Sequence, residues 1–160
     1  MIVVISSALG QALGRELELS HERFDAIKAA IRQPQASVIV FGDSIVEGAP
    51  LPEMLCGHAV VNGGVTGSTV EYFERHAAEL LGSARPKLIV LAVGINNASP
   101  MAAKHFRAHY YKTVTILSRT AAVALATITP VMEGNGSKSY SAELVPVLKI
   151  RSSRCRTSKG

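Results

Sequence analysis

The sequence predicts an α/β fold, a three-layer and doubly wound sheet that is mostly parallel. Three observations predict it. Four short β-branched runs are apolar throughout rather than alternating, the pattern of strands covered on both faces. Segments with helical spacing separate those runs, as crossover helices do between parallel strands. Three glycine- or asparagine-bearing motifs each fall directly after a run, where open α/β sheets keep their working groups.

The elements follow in chain order. Met1 to Leu9 is apolar, lacks a preceding basic residue and is too short to span a bilayer; it reads as a buried strand or packing segment. Ser20 can cap a helix running to about Arg32, with Phe24, Ile27 and Ile31 on one face and Pro34 as its stop. Strands are expected at Ser37 to Phe41 and Ala59 to Val61. Val65 to Leu81 passes from a loop into a helix that ends near Gly82 and Pro86. Lys87 to Val93 is the third strand. Ser99-Pro100 pairs a capping residue with a first-turn proline, and Phe106, Tyr110, Val114 and Leu117 then recur at helical spacing to about Arg119. Ala121 to Ile128 is the fourth strand, Glu133 to Ser141 a glycine- and serine-rich loop, and Ser141 can cap a last helix through Leu148.

The 160 residues are one domain's worth, and 48% hydrophobic content suits a well-buried core. The expected organisation is a single domain over 1–148, in which 1–36 is an N-terminal extension with its helix, followed by a basic tail over 149–160, disordered or non-native. The net charge of +5 resides in that tail: Lys149, Arg151, Arg154, Arg156 and Lys159 have no acid among them, and the rest of the chain carries 12 basic and 12 acidic residues. A basic tail can bind phosphate or anionic lipid; a solvated end is the simpler reading. Cys56 and Cys155 lie far apart and suggest neither a disulfide framework nor a zinc spacing, so a reducing compartment is the simpler reading. With no signal peptide visible, the expected location is cytoplasmic.

The first motif is Phe41-Gly42-Asp43-Ser44-Ile45-Val46-Glu47-Gly48. A serine on a tight turn at a strand end is presented to solvent, and a helix starting there favours nearby negative charge. An ordinary strand-to-helix turn would also use Asp and Ser as caps. The second is Val61-Asn62-Gly63-Gly64-Val65-Thr66-Gly67-Ser68-Thr69. Its glycines let backbone N–H groups approach a ligand oxygen, or serve only turn geometry. As a phosphate cradle it lacks the lysine of G-x-x-x-x-G-K-[ST], and Asn62 stands where G-x-G-x-x-G needs a glycine. The third, Gly94-Ile95-Asn96-Asn97, puts side-chain amides at a strand end, where they can donate to an oxyanion or simply complete a turn.

In this order, over about Ser37 to Leu148, the three resemble the first three sequence blocks of the SGNH/GDSL hydrolase family. The resemblance implies a flavodoxin-like SGNH fold and carboxylic-ester hydrolysis, with small acyl or acetyl esters as substrates. By the same resemblance Ser44 is the nucleophile, and its own N–H, the Gly67 N–H and the Asn96 side chain stabilise the oxyanion. Thr129-Pro130 after the fourth strand also fits. The implied partner is a small-molecule ester, with no nucleic acid, no membrane and no metal or organic cofactor.

The chain departs from the family pattern twice. Asn97 stands where the family usually has aspartate, keeping the acceptor oxygen and losing the charge. The family's Asp-x-x-His block has no counterpart: the two aspartates, Asp25 and Asp43, are not followed by such a histidine. The expected fold therefore lacks its last strand, as a truncation or frame shift near Leu148 would leave it, and its open sheet edge would favour self-association. A serine without a base is a poor nucleophile. Of His21, His58, His76, His105 and His109, only His21 has an acid three residues ahead, in Glu18-Leu19-Ser20-His21, a spacing helix starts also show for solubility. Alternatives to an active hydrolase are a catalytically impaired, ligand-binding relative and a phosphate- or nucleotide-binding domain using Gly63 to Thr69.

Overall fold

The computed structural model of the chain describes residues 21–34, 36–97 and 100–126. Helical backbone over residues 21–31 (α1) leads into β1 (Ala36–Gly42), the four-residue α2 (Ser44–Glu47), β2 (Met54–Leu55) and β3 (His58–Gly64). There follow α3 (Val70–Leu81), β4 (Leu88–Ala92), a 3₁₀ turn (Ile95–Asn97), α4 (Pro100–Ser118) and β5 (Ala122–Leu125). The strands form one sheet in the order β2-β3-β1-β4-β5. All pairings are parallel except that of β2 with β3.

Counting only the parallel strands, the order is second-first-third-fourth, the flavodoxin-like winding that the resemblance implied. The chain leaves β1 toward β3 on one side and returns to β4 on the other. That reversal opens a crevice at the carboxyl ends of β1 and β4. In register, Gly42 at the end of β1 lies between Gly64 of β3 and Ala92 of β4.

The core explains why these segments adopt these forms. Ile39 and Phe41 of β1, Ile89 and Leu91 of β4 and Val61 of β3 are buried from the sheet. Onto them α3 lays Val70, Phe73, Ala77, Leu80 and Leu81, and α4 lays Phe106, Tyr110 and Leu117. With partly buried Val114 between Tyr110 and Leu117, these residues recur mainly at steps of three and four, the stripe of a one-sided amphipathic helix. The segment expected as an extension belongs to this core too, because Ile27 and Ile31 of α1 are buried in it. Lys28 pairs with Glu79 at 2.7 Å, and Phe24 meets the His76 ring edge-on, so α1 lies along α3. Thr113, fully buried, donates to His109 and to Val70, joining α4 to the first turn of α3.

The strand and helix bounds agree with expectation to within a residue or two at most ends. The exceptions are β3, which starts one residue earlier and runs three further through Asn62-Gly63-Gly64, and the unanticipated pair β2. Glycines are weak strand formers, so the extension of β3 was not legible from β-propensity, and β2 is only two residues long, too short to show a pattern. Gly82 ends α3 at positive φ, with its N–H on Ala78 O. The expectations for residues 1–20, the fourth strand beyond Ala126, Thr129-Pro130, the loop and helix to Leu148 and the basic tail lie outside the described residues. Cys56 is not a free thiol, so cysteine usage lends no support to a reducing compartment. Among the described residues no helix is long and apolar enough to cross a membrane.

Candidate active site

Gly42, Asp43 and Ser44 form the junction from β1 to α2. Asp43 is extended, caps the helix by accepting the Ile45 N–H on Oδ1 at 2.9 Å, and is 2% exposed. Burial pushes its carboxyl above the ordinary value against the lowering effect of the backbone N–H groups of Ile45 and of Asp43 itself. Ser44 is exposed at the first helical position, where a backbone N–H has no acceptor within the helix.

A tight turn here requires glycine on both sides. A Cβ on Gly42 would lie 2.2 Å from Val46 Cγ2 and 2.7 Å from Ala92 O. A Cβ on Gly64 would lie 2.2 Å from the backbone N of Glu47. The α2 turn therefore sits directly on the end of β3. Asn62, one pleat earlier, completes the contact: its Nδ2 donates to Val46 O at 2.8 Å and Glu47 O at 3.2 Å. Val46 O also accepts the Ala49 N–H at 3.1 Å, so the amide adds a second partner there, while Glu47 O is one of the carbonyls that a four-residue helix leaves over. The role of Asn62 is thus support of the turn.

The loop after β3 is joined to the other two strand ends. Gly42 O accepts from Val65 N–H at 2.9 Å and from the Ser68 hydroxyl at 3.1 Å. Ser68 O in turn accepts from Asn96 Nδ2 at 2.8 Å. This chain links the three motifs through two side chains, Ser68 and Asn96. An asparagine amide has two hydrogens, so exposed Asn96 keeps one for another oxygen. Gly67 has φ +73° and nothing within 4 Å of where its Cβ would be. Its N–H makes no backbone hydrogen bond among the described residues. Among the described residues the Ser44 N–H, the Gly67 N–H and the second amide hydrogen of Asn96 make no hydrogen bond, and the three residues follow neighbouring strand ends.

Asn97, 1% exposed, bonds the first turn of α3. Its Oδ1 accepts Val70 N–H at 3.0 Å, capping α3 from a distance, and its Nδ2 donates to Glu71 at 2.7 Å. Burial alone would raise Glu71. Hydrogen bonds from Asn97, its own N–H and Thr69, with the charge of His109, outweigh burial and hold it below the ordinary value. The start of α3, the natural anion site of the glycine loop, is therefore filled by the protein's own side chains.

The histidines are spread over the molecule. His58 begins β3, 3.4 Å from Lys87 Nζ, at the opposite end of the seven-residue strand from the Ser44 turn. At about 3.3 Å per residue that is roughly 20 Å away. His109 bonds Glu74, which it and Lys112 hold below the ordinary value. His105 is exposed on α4. His21 and His76 line a 350 Å³ recess between α1 and α3 with Phe24, Asp25, Tyr72 and Glu79. Neither Ser44, Gly67 nor Asn96 borders it. Among the described residues no hydrogen bond joins Ser44 to a histidine.

Comparison of folds agrees with the strand order. A Streptococcus pneumonia protein provisionally described as a platelet activating factor superposes with TM-score 0.66 at 20% identity, over 81% of this chain and 64% of its own. A provisionally assigned lipolytic protein of G-D-S-L family from Desulfitobacterium hafniense DCB-2 superposes with TM-score 0.51 at 20% identity, over 61% and 62%. The chain has the SGNH/GDSL fold. It spans less than two thirds of the length of either SGNH-fold neighbour. No protein-family model and no curated protein sequence matches it.

Sequence reasoning did not find Arg23, Glu47, Ser68 or Glu71, all of which contact the motif residues. Ser68 and Glu47 lay inside quoted motifs, but a polar residue in a turn carries no sign of its partner. Arg23 and Glu71 face the site from helices whose polar positions otherwise read as solvated.

Proposed function

We propose that this chain is an ester-hydrolase scaffold of the SGNH type, in which Ser44 attacks the carbonyl of a small acyl or acetyl ester. Its own N–H, the Gly67 N–H and the second hydrogen of Asn96 receive the oxyanion. The observation that carries the reading is the linked placement of the three motifs at the ends of β3, β1 and β4, through Ser68 and Asn96. The tetrahedral adduct collapses with cleavage of the ester C–O bond, and the alcohol leaves with the proton given up by Ser44; water then attacks the acyl-serine, releasing the carboxylic acid and regenerating the hydroxyl. The Gly63-Gly64 pair supports this reading over a phosphate cradle, because Phe41 and the Glu47 backbone fill the space at those two glycines.

The rate depends on a base for Ser44. An oxyanion hole and binding alone leave roughly 10³–10⁴-fold acceleration over water, against 10² to 10⁴-fold more from a positioned base. The test is hydrolysis of a short-chain nitrophenyl ester by the purified chain beside Ser44→Ala. Activity that disappears in the variant establishes Ser44 as nucleophile, and His21→Ala then tests the acid-x-x-His segment. Equal rates near background overturn the hydrolase reading and leave a scaffold that binds without turnover.

A further inference from the structure

The motifs are held together from outside by a residue that belongs to none of them. Arg23 of α1 donates from Nε to Gly64 O at 2.9 Å and from Nη2 to Asn62 O at 3.1 Å and Asn62 Oδ1 at 3.2 Å. Its Nε also lies 3.8 Å from Glu47 Oε1. We propose that Arg23 is a positioning residue that sets the Ser44 turn against the Gly67 loop. The proposal rests on the reading of Ser44 as nucleophile.

Two routes leave Arg23. A guanidinium only donates, so it must face the oxygen of the Asn62 amide. Gly64 N–H donates to the same oxygen at 2.9 Å. Both turn Nδ2 toward α2, onto Val46 O and Glu47 O. One turn back, Gly48 N–H donates to Ser44 O at 3.0 Å and Glu47 N–H to Asp43 O at 2.9 Å. The second route is through Glu47, whose Oε2 accepts Thr66 N–H at 2.5 Å, one residue before Gly67. One side chain thereby reaches both the nucleophile and an oxyanion donor.

Docking α1 does not require this. Ile27 and Ile31 already anchor the helix in the core, and a half-exposed Arg–Glu pair at this distance adds little by itself. What Arg23 supplies is direction, because its fork can meet two carbonyl groups and an amide oxygen at once. A lysine at position 23 has one point of donation and lacks that geometry.

The experiment compares the full chain with Arg23→Lys and Arg23→Met by amide hydrogen exchange and by nitrophenyl-ester hydrolysis. Both variants are expected to speed exchange at Glu47, Gly48 and Thr66 by about tenfold, the loss of one net hydrogen bond, with Ile39 and Ile89 unchanged. Hydrolysis is expected to lose kcat by about tenfold to a hundredfold, the effect of a misplacement near 1 Å, with KM within about twofold. Exchange that is unchanged, or faster at every amide alike, overturns the proposal, as does an Arg23→Lys protein equal to wild type in both assays. If wild-type hydrolysis does not depend on Ser44, the nucleophile reading fails, and the exchange pattern alone decides whether Arg23 holds the turn.

Discussion

Asn97→Asp replaces one amide nitrogen by oxygen and installs the acid that the family resemblance leads one to expect. In this chain it is predicted to destabilise. The new carboxylate would keep the cap on Val70 N–H but would lose the donor to Glu71, placing two carboxylates where an amide and a carboxylate now meet at 2.7 Å. Losing a hydrogen bond to a charged partner costs about 1.5–3 kcal/mol. Glu71 is partly exposed, so water relieves some of the repulsion, and about 2 kcal/mol at pH 7.5 is expected. For a domain of this size that lowers Tm by roughly 4–8 °C. The pH dependence identifies the partner. In wild type Glu71 is held below its ordinary value, so its contribution is fully present above the unfolded pKa and is lost as pH falls through the folded one. In the variant the two carboxylates share a proton and their apparent pKa rises. A raised carboxylate binds more protons folded than unfolded, so the penalty shrinks as pH falls below about 5. Urea unfolding at pH 7.5 and 4.5 measures it. A penalty equal at both pH values, or absent at both, would refute the role given to Glu71; adding Glu71→Gln to the Asn97→Asp variant should recover most of the loss.

The other predictions concern packing and charge. Gly64→Ala drives a Cβ into the Glu47 backbone and should cost about 1–3 kcal/mol as overpacking, seen as a lower urea midpoint; a midpoint equal to wild type would mean that α2 moves aside freely. Gly67→Ala meets no neighbour but holds φ at +73°, so about 1–2 kcal/mol is expected from backbone strain, and no loss would contradict the left-handed conformation. Tyr110 OH is buried without a hydrogen-bond partner among the described residues, so Tyr110→Phe should be neutral or stabilising by up to about 1 kcal/mol; a loss above that value would show a bound water or other acceptor. The Glu74 carboxyl, held low first by its hydrogen bond to His109, should titrate at higher pH in His109→Gln when followed by carbon NMR, and an unmoved midpoint would disprove the pairing.

The fold was legible because its signals are local. Continuous apolar runs mark β1, β4 and β5, and the three-to-four spacing of Phe106, Tyr110, Val114 and Leu117 marks α4 before any neighbour is known. The same holds for motif positions at strand ends, since chain order and topology suffice to put Gly42, Gly64 and Gly94 near one crevice. Pairings are different. Nothing near Arg23 in the sequence announces Gly64 O, which is 41 residues away, and Glu71 looks like an ordinary first-turn acid until Asn97 is beside it. Polar contacts across such separations depend on register and helix rotation, which composition does not encode.

The second motif shows how one glycine-rich stretch can contain two kinds of glycine. Gly63 and Gly64 are strand residues whose missing side chains make room for Phe41 and for the Glu47 backbone, so close packing accounts for both. A phosphate-binding loop needs its glycines' N–H groups turned to the ligand, yet Gly64 N–H is already bonded to Asn62 Oδ1. Val65 and Ser68 N–H groups are likewise used within the loop and on Gly42, and Asn97 takes the first N–H of α3. Gly67 alone among the loop's glycines combines a left-handed backbone with open space around it. With the N–H groups of Gly64, Val65, Thr66 and Ser68 already committed, the loop lacks the several converging donors that a phosphate group would require.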